Sequence, residues 1–510
     1  MSNRRHGAAL ACALFLLLGA AGPALAQDGV WLGAAVGGGY RIGKVSFEIE
    51  GRTRWYYARQ AADIEEGKLF PDRPSLEVYL ADRTQLLLNK RTIETASIEP
   101  VFGEAGADGV VPVDLVVRLK DTVNVIVLPY FKYDSNDGLL LSARGRNYNF
   151  LGTMQPLRVD LNYTVDEDGD QEFELEAELD LPFRMAERDF VWGLDQSLSY
   201  NAEAGLFSYD LSTGVDVKLP LFGGDLVFGP SQSLSINPSD DDYEDDIYRG
   251  WFLKSRLGGS YKIPLPLDLG YFGPLYGKLG AEAYHYWRPG EEVPADWSGP
   301  VLAFSQSLSF GRVDWIGNLR QGLEASAGTT ESYNFDDVAW TSKISGSVDG
   351  HYRFGPSLGA SGRLMAFHTF NDTDDEAGEA LRGILDDRVD TDTALYLNLE
   401  LPFRVYHYMP HEWTGVDWLQ YIALEQYWSP FFDMALTHDK ATGTWFDPKE
   451  GWYALGLEVI TYPHKFRSFY IRVSAGFEVW PLVKTKSISG RSTRDDEMGR
   501  EIYIGLGHHF

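Results

Sequence analysis

The chain ends in GREIYIGLGHHF (Gly499–Phe510), a segment that alternates without interruption. Ile502, Ile504, Leu506, His508 and Phe510 fall on one side of an extended strand. Tyr503, Gly505, Gly507 and His509 fall on the other, because strand side chains alternate faces with period two. The first row is mostly apolar and closes on an aromatic ring; the second is small and polar. Left at the rim of a sheet, such a strand would offer unpaired N–H and C=O groups to any passing chain. The reading that removes this liability is a last strand that pairs with an early one, near residues 124–134, and closes the sheet.

The opposite end, MSNRRHGAALACALFLLLGAAGPALAQ, has Arg4 and Arg5, then an apolar run, then Ala24-Leu25-Ala26 before Gln27. A positive start, a short apolar core and an A-x-A site make a secretory signal peptide over 1–26. The core falls short of the ~20 residues a spanning helix needs. Cys12 is the only cysteine, so an exported mature chain has no disulfide to rely on. Later in the chain no apolar run is long enough for a transmembrane helix. Aromatic residues make up 14% of the chain, with 53 glycines and 7 methionines, a balance that favours short alternating strands over helices. The formal net charge of −29 argues against nucleic acid as a partner, since that requires basic patches.

After a linker over 27–43, residues 44–122 read as a small mixed domain of order β-α-α-β-β. KVSFEIEG alternates; TRWYYARQAADIEEGKLF carries helix formers up to Gly67; RPSLEVYLADRTQLLLNKRTIE spaces its leucines helically. TIETASIEPVF and VPVDLVVRLKDT then alternate again around the turn GEAGADG. From 123 to 510 the pattern is strand after strand, among them EFELEAELDLPF, LAFSQSLSFG and FYIRVSAGFEVW. Short joints such as LFGGD take turns with long acidic ones such as SINPSDDDYEDDIYRG, the layout of an outer-membrane barrel. The expected fold is an all-β transmembrane barrel of about sixteen antiparallel strands, or eighteen if the stretches 205–237 and 317–354 are split. Aromatics at strand ends (Tyr130, Phe131, Phe183, Trp287, Trp340, Trp480) are expected to form interfacial girdles.

EALRGILDDRVDTDTALYLNLELPFRV narrows this further. Leu381-Arg382-Gly383-Ile384 resembles the V-R-G-F/Y loop motif of the BamA/TamA superfamily of outer-membrane insertases and transporters, with Ile384 where an aromatic is usual. GRNYNFLGTMQPLRVDLNY resembles that family's second and third barrel strands, with an N-F-x-G turn at Asn149, Phe150 and Gly152. PFFDMA resembles its F-x-D-x-G strand motif at Phe431 and Asp433, with Ala435 in place of glycine. The domain at 44–122 resembles a single POTRA module, and Ile504, Leu506, His508 and Phe510 resemble the C-terminal signal that barrel-assembly machinery reads. The resemblance implies that Arg382 folds into the lumen and pairs with Asp433. A guanidinium taken out of water requires an anionic, bidentate partner, and Gly383 lets the backbone turn sharply beside it. Arg363, on the strand before this loop, carries the same charge outside the motif.

Other constellations point nowhere specific. Asp166–Asp170 (DEDGD) mimics half a calcium loop but lacks the later bidentate glutamate; Ser239–Asp246 (SDDDYEDD) reads as an exposed acidic loop. His508 and His509 face opposite ways and cannot share a metal. No nucleophile elbow, zinc helix or phosphate loop is visible, so no enzyme activity, metal or cofactor is expected. The resemblance implies an outer-membrane location with the POTRA-like domain in the periplasm. The expected partners are membrane lipid and lipopolysaccharide, client polypeptides and periplasmic accessory proteins. The expected role is assistance to the insertion or passage of polypeptides through a weak seam, to which Gly505 and Gly507 would contribute. The alternative is a passive, porin-like or structural channel.

Overall fold

The computed structural model describes residues 39–134, 138–165, 169–238, 250–290, 299–336, 338–370, 375–376, 378–384, 389–440, 442–479 and 500–506. The signal peptide, the first residues of the Asp166–Asp170 tip, the acidic loop at Ser239–Asp246, Trp480, Gly507, His508 and Phe510 lie outside them.

Two sheets account for the fold. The smaller contains β1 (Tyr40–Glu50), β2 (Leu69–Phe70), β3 (Ile93–Phe102) and β4 (Val111–Asp121) in the order β2-β1-β4-β3. β1 lies parallel to β4, and β3 antiparallel to it. Helices α1 (Trp55–Ala62) and α2 (Arg73–Asn89) cover this sheet. α2 starts where Asp72 Oδ1 accepts the Ser75 N–H at 2.8 Å, with Pro74 in the first turn. Its Leu76, Leu80 and Leu87 pack on Ile42, Val113, Leu115 and Val117. α1 is shorter than its sequence suggested. It stops at Asp63, whose φ of 49° is left-handed, and the remaining residues to Gly67 form a loop. β2 and the residues before it cover β1 from Tyr40 to Ile42, and Glu66 reaches Val45 N, so among the described residues the remainder of β1 is an uncovered edge, as is the outer side of β3 beyond Glu94.

The larger sheet begins at β5 (Val125–Asp134) and continues through antiparallel neighbours to β17 (Gly359–Phe370). A two-residue hairpin follows, β18 (Asp375–Glu376) with β19 (Asp390–Thr391). β20 (Thr393–Glu400), β21 (Phe403–Tyr408), β22 (Leu424–Asp439), β23 (Thr444–Trp445), β24 (Trp452–Pro463), β25 (Ile471–Glu478) and β26 (Arg500–Leu506) complete it. With β20 and β21 taken as one strand and β23 left aside, the order has eighteen members, the upper of the two expected numbers. The reason lies in the ambiguous stretches. A tight turn at Phe222–Gly223 splits 206–236 into two strands, and the joint between Asn334 and Ala339 splits 319–353 into two more. β26 pairs with β25 over seven residue pairs but meets β5 over two, Glu501↔Asp134 and Ile502↔Tyr133. No described helix is long and apolar enough to cross a membrane.

The alternation of this sheet is inverted relative to a water-soluble sandwich. In β8 (Gln171–Met185), Glu174 accepts from Asn162 Nδ2 at 3.1 Å and from Ser197 Oγ at 2.8 Å on the neighbouring strands. Glu178 accepts from Arg158 at 2.7 Å on the same face. The opposite face carries Phe173, half exposed, beside Leu161 and Leu198. Leu141, Leu257, Leu279, Phe304 and Leu455 continue that exposed apolar surface round the sheet. Trp287 and Trp340 are exposed at strand ends as expected. Tyr130 is not: its register partner Ser142 is buried, and Tyr130 itself is buried under the Arg144 guanidinium on the polar face. A one-residue error in facing is enough to move a side chain across the sheet.

The small domain is clamped across one rim of the large sheet. α2 lies against residues 312–315: Gln85 Nε2 donates to Trp315 O at 2.8 Å, Asn89 Nδ2 to Asp314 Oδ1 at 2.7 Å, and Asp82 pairs with Arg312. Arg91 donates to Arg467 O at 2.6 Å and lies over the rings of Trp315, Tyr462 and Tyr470 at 4.5, 5.5 and 5.7 Å. Lys465 holds both oxygens of Glu94, at 2.9 and 3.0 Å. At another point of the rim, Asn149 Nδ2 donates to Thr53 Oγ1 at 2.7 Å and Tyr57 OH to Pro182 O at 2.7 Å. Gly152 has a φ of +75°, and a Cβ there would lie 2.1 Å from Arg52 O, so the N-F-x-G turn is shaped to receive the small domain. Arg91→Ala removes a desolvated cation–π contact and one hydrogen bond, together about 1–3 kcal/mol of docking. Limited proteolysis should then cut the connection at Thr122–Asn124 faster than in the parent protein, with the large sheet left intact.

Candidate functional site

The described part of the loop between β17 and β20 turns back against the polar face of the large sheet. Its residues Leu381 and Ile384 are buried with Val389, Tyr396, Ala435 and Trp452. An aliphatic side chain at 384 fills this cluster, so the place of the missing aromatic is an apolar pocket. Ala435, the departure from glycine, is fully buried in the same cluster. Asn398 Nδ2 donates to Ala380 O at 2.9 Å and ties the loop to β20.

Arg382 occupies the centre and is 1% exposed. Its Nε and Nη2 donate to the two oxygens of Asp433, both at 2.8 Å, and its backbone N–H reaches Asp433 Oδ2 at 3.1 Å. Nη1 turns the other way, to Glu400 Oε1 at 2.5 Å and Glu458 Oε2 at 3.5 Å. The guanidinium plane lies 3.8 Å from the centre of the Phe431 ring. All three carboxylates sit on one face because the register aligns Asn398 and Ala454 with Asp433 and places Glu400 one alternation, and Glu458 two alternations, further along the neighbouring strands. Behind them on β25, Arg472 Nη1 donates to Glu458 at 3.5 Å, and Glu478 is buried on the same face. Two guanidiniums thus serve Asp433, Glu400 and Glu458, with Glu478 a fourth buried carboxylate on the same face.

Gly383 makes the approach possible. Its φ is +81°, and a Cβ there would lie 2.5 Å from Gly476 C and 2.6 Å from Phe477 N of β25. The opposing residue is also glycine, so backbone meets backbone where any side chain would hold the loop away. The sequence reading therefore brings Leu381, Arg382, Gly383, Ile384, Phe431 and Asp433 together. Ile504 and Leu506 lie apart, on β26, opposite Val473 and Ile471. Sequence reasoning missed Glu400, Glu458 and Arg472. Glu400 was within reach, since it follows Asn398 by two residues in LNLELPF and shares its face. Glu458 is a lone charge inside YALGLEVITY, which signals an inward polar position but not its partner.

No family model and no curated protein matches the chain. Among solved structures it is similar to CdiB from Acinetobacter baumannii, at 13% identity and a TM-score of 0.49, over 91% of this chain and 73% of that one. It is also similar to CdiB from Escherichia coli, at 10% identity and a TM-score of 0.41, over 97% of each chain. The third is BamA from Haemophilus ducreyi lacking POTRA domains 1–3, at 13% identity and a TM-score of 0.37, over 92% and 84%.

The extra carboxylates make the two halves of the ion pair unequal. Arg382→Ala leaves Asp433, Glu400 and Glu458 facing one another, and breaking a buried pair costs about 3–5 kcal/mol. Asp433→Ala leaves the arginine with two acids and should cost less. The double variant should be no worse than Arg382→Ala, because the coupled residues do not act additively. Arg382→Lys restores the charge but not the fork and should fall between. The measurement is the temperature at which the folded, faster-migrating band is lost on SDS gels. Arg363 is unsuited as a control, since it is paired with Asp349 at 3.4 Å and lies opposite Asn398. Arg158→Ala, from the half-exposed pair with Glu178, is suited and should shift the transition little. Gly383→Ala should also lower it, with about 1–3 kcal/mol of backbone strain added to the clash.

Proposed function

We propose that this chain is an outer-membrane β-barrel of the BamA/TamA type that helps polypeptides insert into, or pass, that membrane. The POTRA-like domain, residues 44–122, stands at the periplasmic mouth, after a signal peptide over 1–26 and a linker over 27–43. The inverted alternation supports a sheet that faces lipid on its outer side and water within. The observation that carries the functional reading is the narrow contact between β26 and β5. Most neighbouring strands in the order share ladders of seven residue pairs or more, whereas among the described residues two pairs join these. A short ladder is cheap to open, and each strand then offers free N–H and C=O groups. A client strand would add there by β-augmentation, gaining main-chain hydrogen bonds without any cofactor. The uncovered part of β1 and the outer edge of β3 would offer the same chemistry to clients and accessory proteins on the periplasmic side.

The seam is testable because no cysteine lies beyond Cys12. Tyr133→Cys with Ile502→Cys places two thiols on register partners across it. In proteoliposomes, oxidation should stop the assisted folding of an added, urea-unfolded outer-membrane barrel protein, and reduction should restore it. A matched pair locking β25 to β26, Ser474→Cys with Tyr503→Cys, should have no effect. Unchanged activity of the oxidised seam variant, together with a large steady conductance in planar bilayers, would instead identify a passive channel.

A further inference from the structure

The segment between β21 and β22, MPHEWTGVDWLQYIA (Met409–Ala423), is the longest of the described joints of this rim. Where others are two-residue turns or hold a single 3-10 turn, this one folds into a short helix α3 (Pro410–Thr414) followed by a 3-10 turn (Asp417–Tyr421). Met409, Pro410 and Ala423 are buried and fix its two ends. The interior is held by local bonds: Thr414 Oγ1 to Pro410 O at 2.7 Å, Gly415 N to His411 O at 3.0 Å, and Ile422 N to Leu419 O at 3.2 Å. His464 N donates to Ala423 O at 2.8 Å, placing the segment beside the turn that carries Lys465 and Arg467. It therefore lies at the rim where the small domain is docked.

Its exposure pattern is the reverse of a solvated loop. Trp413 is 68% exposed and Trp418 62%, with Val416, Tyr421 and Ile422 also exposed. The patch is continuous with the outer face of the sheet. Trp413 meets Tyr408 edge to face at 5.6 Å, and Tyr408 stacks with the exposed Tyr406 at 5.9 Å. Tyr406 and Phe403 share the outward row with Trp428, since their alternates Arg404 and His407 turn inward to Glu425. Tyr421 reaches Phe466 at 6.2 Å on the other side. Tryptophan and tyrosine, each an apolar ring with one polar group, are favoured at the boundary between hydrocarbon and water. Glu412 and Asp417, both exposed, supply charges for the aqueous side.

We infer that Met409–Ala423 is an interfacial anchor. It lays Trp413, Val416, Trp418 and Tyr421 into the lipid headgroup region of the periplasmic leaflet, extending the aromatic collar of the strands beneath the docked small domain. This rests on the outer-membrane reading above. The occupant is lipid, because the patch continues the apolar outer face of the sheet and its backbone is helical and 3-10 rather than extended, leaving no strand edge for a protein.

The test uses the full chain in phosphatidylcholine vesicles, with single spin-labelled cysteines made possible by the lack of cysteine after Cys12. Val416→Cys reports on the anchor with both tryptophans in place. Leu257→Cys reports on the outer face, and Glu48→Cys on the water-exposed small domain. The label at 416 should collide freely with oxygen, and its collisions with a water-soluble nickel chelate should fall several-fold below those at 48. Trp413→Ser with Trp418→Ser should bring them back up to the level at 48. A label at 416 as open to nickel as that at 48, while 257 is shielded, overturns the anchor and leaves the barrel reading standing. Shielding of 416 from both reagents means protein cover and also overturns it. Nickel access at 257 sinks the membrane reading itself, and the anchor with it.

Discussion

A buried guanidinium is the constraint around which the large sheet is arranged. Arg382 has left water, and that cost is recovered only if every donor finds an acceptor in the right plane. Asp433 supplies two acceptors side by side, Glu400 and Glu458 take the remaining edge, and the Phe431 ring covers one face of the plane. These groups come from separate strands, so the loop reads the relative position of β20, β22 and β24. A register slip of one residue in any of them would turn a carboxylate outward and strand the arginine. The interaction therefore specifies the sheet more than it stabilises it. Leu381 and Ile384 contribute the apolar burial that holds the loop down, and the paired glycines 383 and 476 set how near it can come.

The rim opposite the end of that loop's strands is organised by a different economy of contacts. The small domain meets the turns of the large sheet through side chains that satisfy backbone carbonyls, such as Arg91 on Arg467 O and Thr122 on Lys465 O. Buried turns need such partners, because a carbonyl deprived of water and left unpaired is costly. Arg91 adds aromatic rings on three sides. Contacts at well-separated turns, near Asn149, Pro182, Trp315 and Arg467, hold the domain as a fixed piece rather than as a bead on a linker.

Between these two fixed regions lies the weakest junction. The arginine loop packs against β25 at Gly476, and β25 carries β26 on a seven-pair ladder. Beyond β26 the pairing thins to two residues. The strands on one side of the junction are thus tied to the buried site, while β5 on the other side is tied to the small domain through the 149–152 turn and through the chain itself at Thr122–Asn124. Among the described residues, the two regions meet over two backbone residue pairs.

Period-two alternation was legible from the sequence alone, and with it the class of the large sheet, the change of texture at residue 123, and a last strand that returns to the first. That follows from local chemistry, since each strand must choose its two faces by itself. The family-like tetrapeptide at 381–384 and its acid at 433 were legible for the same reason, as short motifs with fixed residue types. The strand number was settled only where the turn at Phe222 and the joint after Asn334 cut stretches that composition left whole. The facing of Tyr130 was decided by its register against the neighbouring strand Gly138–Asn147. The second and third carboxylates, and the glycine that receives the loop, belong to strands distant in sequence whose positions are set by hydrogen-bond register. No local window contains that information. What only the tertiary structure decided is which charges stand together, because burial makes their pairing obligatory and the register alone makes it possible.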